Sequence, residues 1–136
     1  MIEASLDLQK AVRSRLVAST EVLGQVPSAH ILDRNSRPEV FPCILIGESQ
    51  TLAGAGLSRL RHDVFADLHI WAEEPGLATV KTIAGAIRSA LRDGRWTLDH
   101  HHVADLYIQQ ERFLRDPDGI HSHGVMTLRA HLVEVS

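Results

Sequence analysis

The chain of 136 residues has one cysteine, no long apolar run, no excess of basic charge and no catalytic signature. Each absence removes a class of protein. Cys43 has no partner for an internal disulfide. It lies in the apolar run 41–46 and reads as a small buried hydrophobe, because a reactive thiol needs an electropositive, partly open setting. A single thiol fits synthesis in a reducing cytoplasm. No stretch reaches the roughly 18 apolar residues of a membrane helix. Glu3, Asp7, Lys10, Arg13 and Arg15 are spread through the first 24 positions, so no signal peptide is expected. A formal net charge of −3 argues against a general nucleic-acid binder, which carries a basic stripe. The charge is soft, however, since nine histidines gain protons near pH ~6. At this length one domain spanning 1–136 is expected, with enough buried surface to fold without staples.

What is present is architecture. In residues 61–72 the apolar Val64, Ala66, Leu68 and Ile70 alternate with Phe65, Asp67, His69 and Trp71, the period of a half-buried strand. After Glu73-Glu74-Pro75-Gly76, Leu77, Val80, Ile83, Ala84, Ile87 and Leu91 share one face of a helix. Pro75 suits its first turn and Gly94 its exit. Leu8, Ala11, Val12 and Leu16 mark an earlier surface helix over 5–20, ended by Gly24 and Pro27. A short strand is expected near 29–32, then a turn-rich segment at 33–38. Residues 41–46 are apolar on both faces and predict a central strand, with Pro42 at its beginning. Residues 50–61 contain Gly54 and Gly56 and read as a flexible connection that orders against a neighbour. A short strand is expected at 96–98 and a long one at 103–114. Asp116-Pro117-Asp118-Gly119 is a turn signal, and 124–135 alternates as a final strand. The fold class is therefore α+β: a two-layer sandwich whose mainly antiparallel sheet of about four main strands carries two helices on one face. Leu8, Val12, Leu16, Val80, Ile83, Ile87 and Leu91 are expected to pack on Val64, Leu68, Ile70, Leu128 and Leu132.

The opposite sheet face is expected to show Phe65, Asp67, His69 and Trp71, with Tyr107, Gln109, Glu111 and Phe113 from another strand. Mixed aromatic and polar residues suit a surface covered in an assembly; an ordinary solvated face is the alternative. The chemistry on offer is thin. In an extended segment His100 and His102 share a face, Asp99 adds an oxygen, and His121 and His123 repeat the spacing. A metal site needs three such groups to converge with outer residues to orient them. With only Asp99 in view for that role, no tight metal site is expected. Glu73 and Glu74 suit the positive end of a helix better than acid/base work. Ser49 lacks a nucleophile elbow, and Gly54-Ala55-Gly56 lacks a phosphate-binding context. No catalytic residue, cofactor or resident metal is assigned, and the expectation is a non-enzyme.

The order of the segments carries a resemblance. SLDLQKAVRSRLVAS is followed by FPCILIGES and by a strand ending in HIWAEEPG. The helix KTIAGAIRSALRD comes next, then YIQQERFLRDPDG and HGVMTLRAHLVE. Over residues 6–134 this resembles the tail completion, or tail terminator, proteins of long-tailed phages, prophages and gene transfer agents, a family also catalogued as a domain of unknown function. The histidine run at 100–102 is not a mark of that family. The resemblance implies a structural virion protein at the head–tail junction. It implies a homo-oligomeric ring, typically a hexamer, that ends tail-tube polymerisation. The implied partners are the tail tube protein and the head-completion (stopper) protein, with DNA passing through the lumen unbound. Head-to-tail contacts in a ring join two different patches. The candidates are Leu52, Leu57, Arg59 and Arg61 of the 50–61 connection, and Phe65, Trp71, Tyr107 and Phe113 of the sheet face. Two other classes stay open: a small ligand- or metal-binding module built on His100–His102, and an enzyme subunit whose site forms between chains.

Overall fold

Helix α1 (Ala4–Ala18) starts where the Glu3 carboxylate accepts the free Ser5 and Leu6 amides, supplying partners that the first turn of a helix lacks. It buries Ala4, Leu8, Val12 and Leu16. Ser19 then caps a single turn, α2 (Thr20–Leu23). The computed structural model describes residues 1–34 and 38–135. The middle of the turn expected at 33–38, residues 35–37, therefore lies outside the described residues.

A 3-10 turn (Ser28–His30) leads into β1 (Ile31–Asp33), followed by β2 (Cys43–Ala53), β3 (Arg61–Ala72), helix α3 (Ala78–Leu91), β4 (His101–Arg115) and β5 (Ser122–Glu134). The sheet order is β1-β2-β3-β5-β4. Only β1 and β2 run parallel; every other pairing is antiparallel. Pro42 stands immediately before β2, where its missing N–H disturbs no ladder. Cys43 to Ile46 are all buried, as a strand covered on both faces requires.

Helices α1 and α3 lie on one face of this open sheet. All twelve side chains expected in the core are buried there together, so the period-2 and period-3.6 readings chose the correct faces. Three expectations on connections need correction. Residues 50–53 continue β2 and pair with 62–65, leaving only 54–60 as connection. Gly54 makes that tight turn possible: its N–H donates to the Arg61 carbonyl at 2.8 Å, and an added Cβ would sit 2.8 Å from the Arg61 Cβ. Residues 96–98 form no strand; the Trp96 ring instead lies against the Arg15 guanidinium, 3.4 Å from its centroid. Finally, α3 begins at Ala78 rather than at Pro75, and the Thr79 hydroxyl donates to Glu74.

The largest correction concerns β4. Its pairing with β5 shifts between Val103 and Asp105 and again between Ile108 and Gln110. A bulge inserts one residue, and every side chain beyond it exchanges faces. Tyr107 therefore keeps the open face, but Glu111 and Phe113 turn to the helix side. The Phe113 ring packs against Gly124 and Ile70, with the Lys81 ammonium 5.6 Å from its centroid. Glu111 meets Arg88 of α3 at 2.9 Å.

Candidate assembly surface

The face of the sheet away from the helices is built by odd-numbered positions of β3 and β5 and by the bulged β4. Its pieces are joined across strands. The Arg129 guanidinium lies 5.1 Å from the centre of the Phe65 ring and is paired in register with Tyr107 on its other side. Arg129 Nε is buried without a hydrogen-bond partner, one of two such side-chain atoms among the described residues. The Thr127 hydroxyl donates to Asp67 at 2.6 Å, and His131 pairs with Asp63 at 2.5 Å.

At one end of this face three rings form a column. Trp71 stacks on His123 with centroids 4.0 Å apart, and His123 stacks on His69 at 5.0 Å. The His69 ring fits because position 47 is glycine; a Cβ there would come within 2.5 Å of it. His69 uses both nitrogens, Nδ1 with His123 and Nε2 with Glu48 at 2.8 Å. Burial and the neighbouring His69 push the His123 pKa down to about 4, so His123 is neutral at physiological pH. Burial raises the Asp67 carboxyl, while its hydrogen bond to Glu48 lowers the latter. The column is thus a stack of three aromatic rings, the middle one neutral, with a carboxylate at its edge.

At the opposite end, the β2–β3 turn carries exposed apolar residues. Leu57 is 97% exposed, and Leu52 and Leu60 are also open to solvent. Arg59 holds a left-handed conformation with φ 62°. Ten residues of extended chain separate Arg61 from Trp71, roughly 33 Å. The eight candidates therefore fall into three places. Leu52, Leu57, Arg59 and Arg61 belong to the turn end, Phe65, Trp71 and Tyr107 to the open face, and Phe113 to the helix side.

The histidines at 100–102 and 121–123, whose spacing admits a metal site, stay apart. His100 and His102 are exposed, whereas His101 between them is buried. The Asp99 and His100 amides donate to Asp7, and His101 Nδ1 bonds the same carboxylate at 2.8 Å. His121 is held by Asp118 at 2.6 Å and lies with His123 at the other end of β5. Asp7 was missed by sequence reasoning. The available signal was an acidic residue beside the apolar stripe of α1, between Ala4 and Leu8. Burial opposes ionisation of Asp7, yet its three donors hold its pKa below the usual carboxylate range.

No catalytic constellation occupies these surfaces among the described residues, and no helix is long and apolar enough to cross a membrane. No curated protein sequence matches the chain. Solved structures share its fold, among them the following two. One chain from the virion of a native gene transfer agent particle aligns over 99% of this chain and 100% of its own, with TM-score 0.79 and 18% identity. The bacteriophage SPP1 gp17 protein aligns over 98% of this chain and 91% of its own, with TM-score 0.61 and 20% identity. The model of the family described as tail completion protein gp17 matches residues 10–132, which is nearly the whole domain. The chain belongs to the tail completion protein gp17 family, and its role is that of a structural component of a phage-type tail.

Proposed function

We propose that this chain is a tail terminator: identical copies, six in the arrangement typical of such proteins, close a ring on the head-proximal end of a tail tube. The ring ends tube growth and offers its other side to the head-completion protein. The observation that carries this reading is the family match along residues 10–132. The architecture supports it. A heterologous ring contact needs two unlike patches on each subunit, and the sheet offers them about 33 Å apart: the apolar β2–β3 turn at one end and the Trp71–His123–His69 stack at the other. A net charge of −3 suits a lumen that DNA crosses, since retention of DNA grows with the number of cation–phosphate contacts.

Leu57→Asp and Arg59→Asp test the turn. Leu57 touches little, and aspartate tolerates the left-handed backbone at 59, so both variants keep the wild-type melting temperature. Particles assembled with either variant carry overlong or unjoined tails in electron micrographs. Particles of normal length and infectivity made without this chain would overturn the proposal. Labelling of the chain along the whole tube, away from the head–tail junction, would do the same.

A further inference from the structure

Three neighbouring strands place one metal-ligating side chain each at the same corner of the sheet, on the helix side. His101 of β4 and Glu134 of β5 are paired in register. His62 of β3 faces Leu132, one step along the same side of β5. One ring nitrogen from each histidine and a Glu134 carboxylate oxygen lie within 4.8 Å of one another. His62 Nε2 and Glu134 Oε1 are 2.9 Å apart, and the two imidazoles meet edge to face at 5.8 Å between centroids.

What turns this trio into more than a cluster is Asp7. Its carboxylate takes His101 Nδ1 at 2.8 Å, with both side chains nearly sealed from solvent. Protein-bound zinc is characteristically held by a histidine whose other nitrogen is fixed by a carboxylate, which sets the ring's tautomer and orientation. Here that bond leaves Nε2 of His101 as its free nitrogen. Asp7 is itself fixed by the Asp99 and His100 amides. The expectation that no tight site forms rested on the lack of such an orienting group and on exposure of residues 95–102; Asp7 supplies the first, and buried His101 escapes the second.

We propose that His62, His101 and Glu134 bind one zinc-class divalent ion, with Asp7 orienting His101. Two nitrogens and one oxygen suit zinc, and a fourth position remains for water. Ligand atoms around tetrahedral zinc lie about 3.3 Å apart, given bond lengths of about 2.0–2.2 Å. The trio therefore closes around an ion through small rotations of the half-buried His62 and Glu134. His101 and Glu134 also line a cavity of about 290 Å3 beside Met1 and Leu60. The second group of this kind, Glu48, Asp67 and His69, is a poorer site because the other His69 nitrogen meets His123 rather than a carboxylate and Glu48 is largely exposed.

The test uses the full chain without a histidine tag and never exposed to a metal column. Titration with zinc chloride, followed by calorimetry and by elemental analysis after dialysis, is expected to give one ion per chain and a raised melting temperature. His62→Ala alters a half-buried strand position and is expected to fold while losing zinc binding. Asp7→Asn is expected to weaken binding by roughly 10–100-fold. His69→Ala serves as the control and is expected to bind as the wild type does. Cobalt substitution adds a signature that a merely structural histidine would not give, a visible absorption band of tetrahedral intensity. The inference fails if the wild-type chain takes up no zinc, or if His62→Ala binds it as tightly. Neither result bears on the tail role, which rests on other residues.

Discussion

Glu3 shows how much one exposed carboxylate can do at a helix start. It accepts the Ser5 and Leu6 amides and the Ser5 and Thr51 hydroxyls, so it caps α1 and ties it to β2. Although desolvation opposes ionisation, these donors lower its pKa from 4.5 to about 2. A depressed carboxylate pKa stabilises the fold above its unfolded value and loses that effect as pH falls through the folded one. The contribution of Glu3 is therefore complete above pH 4.5 and fades toward pH 2. Glu3→Gln is expected to lower stability at pH 7 by about 1 kcal/mol, the usual scale of a lost N-cap. The difference from wild type should shrink as denaturation is repeated between pH 4.5 and 2. A pH-independent difference would mean that the charge of Glu3 is not what matters.

Among the elements, α3, β3 and β5 were legible because each keeps one period from end to end. Leu68 is 2% exposed and Ile87 fully buried. Replacing either with alanine is expected to cost about 2–5 kcal/mol, measurable by urea denaturation. Strand β4 resisted the same reading. Its alternation is interrupted by the doubled Gln109-Gln110, where pairing with β5 slips. That doubled polar pair is the sequence trace of the bulge, and strict alternation beyond it assigned Glu111 and Phe113 to the wrong face. Deleting Gln109 tests the point. With one of the doubled glutamines gone, residues 108–113 alternate without a bulge while Glu111 and Phe113 keep the helix side, so a melting temperature close to wild type is expected. Inserting one residue after Gln110 instead would turn Phe113 away from Gly124 and break the Arg88–Glu111 pair, with an expected loss of several kcal/mol, comparable to removing a buried aromatic. Equal melting temperatures for the insertion variant and wild type would show that the facing of Phe113 carries no structural weight. The histidine corner was illegible for another reason. Asp7 and His101 stand 94 positions apart, and only sheet register brings β3, β4 and β5 to one point.

For the molecule as a whole, the two ends of the sheet differ in chemistry: exposed leucines at the β2–β3 turn and a stack of aromatic rings at the other. A subunit with unlike ends can be added to its neighbours in one sense only, which is how a ring acquires a direction. The contacts between two free copies need not be strong, because a copy seated on a tube gains from several neighbours at once. The bulges of β4 then acquire a second meaning. This strand is the long outer edge of the sheet, and a flat edge of that length would recruit further strands from any copy it met. Two interruptions in fifteen residues deny it a regular row of donors and acceptors. The irregularity that hid the strand's facing in the sequence thus also makes the kind of edge that works against strand-to-strand association. On the proposed reading, copies that do not pair edge to edge stay available until a tube end seats them.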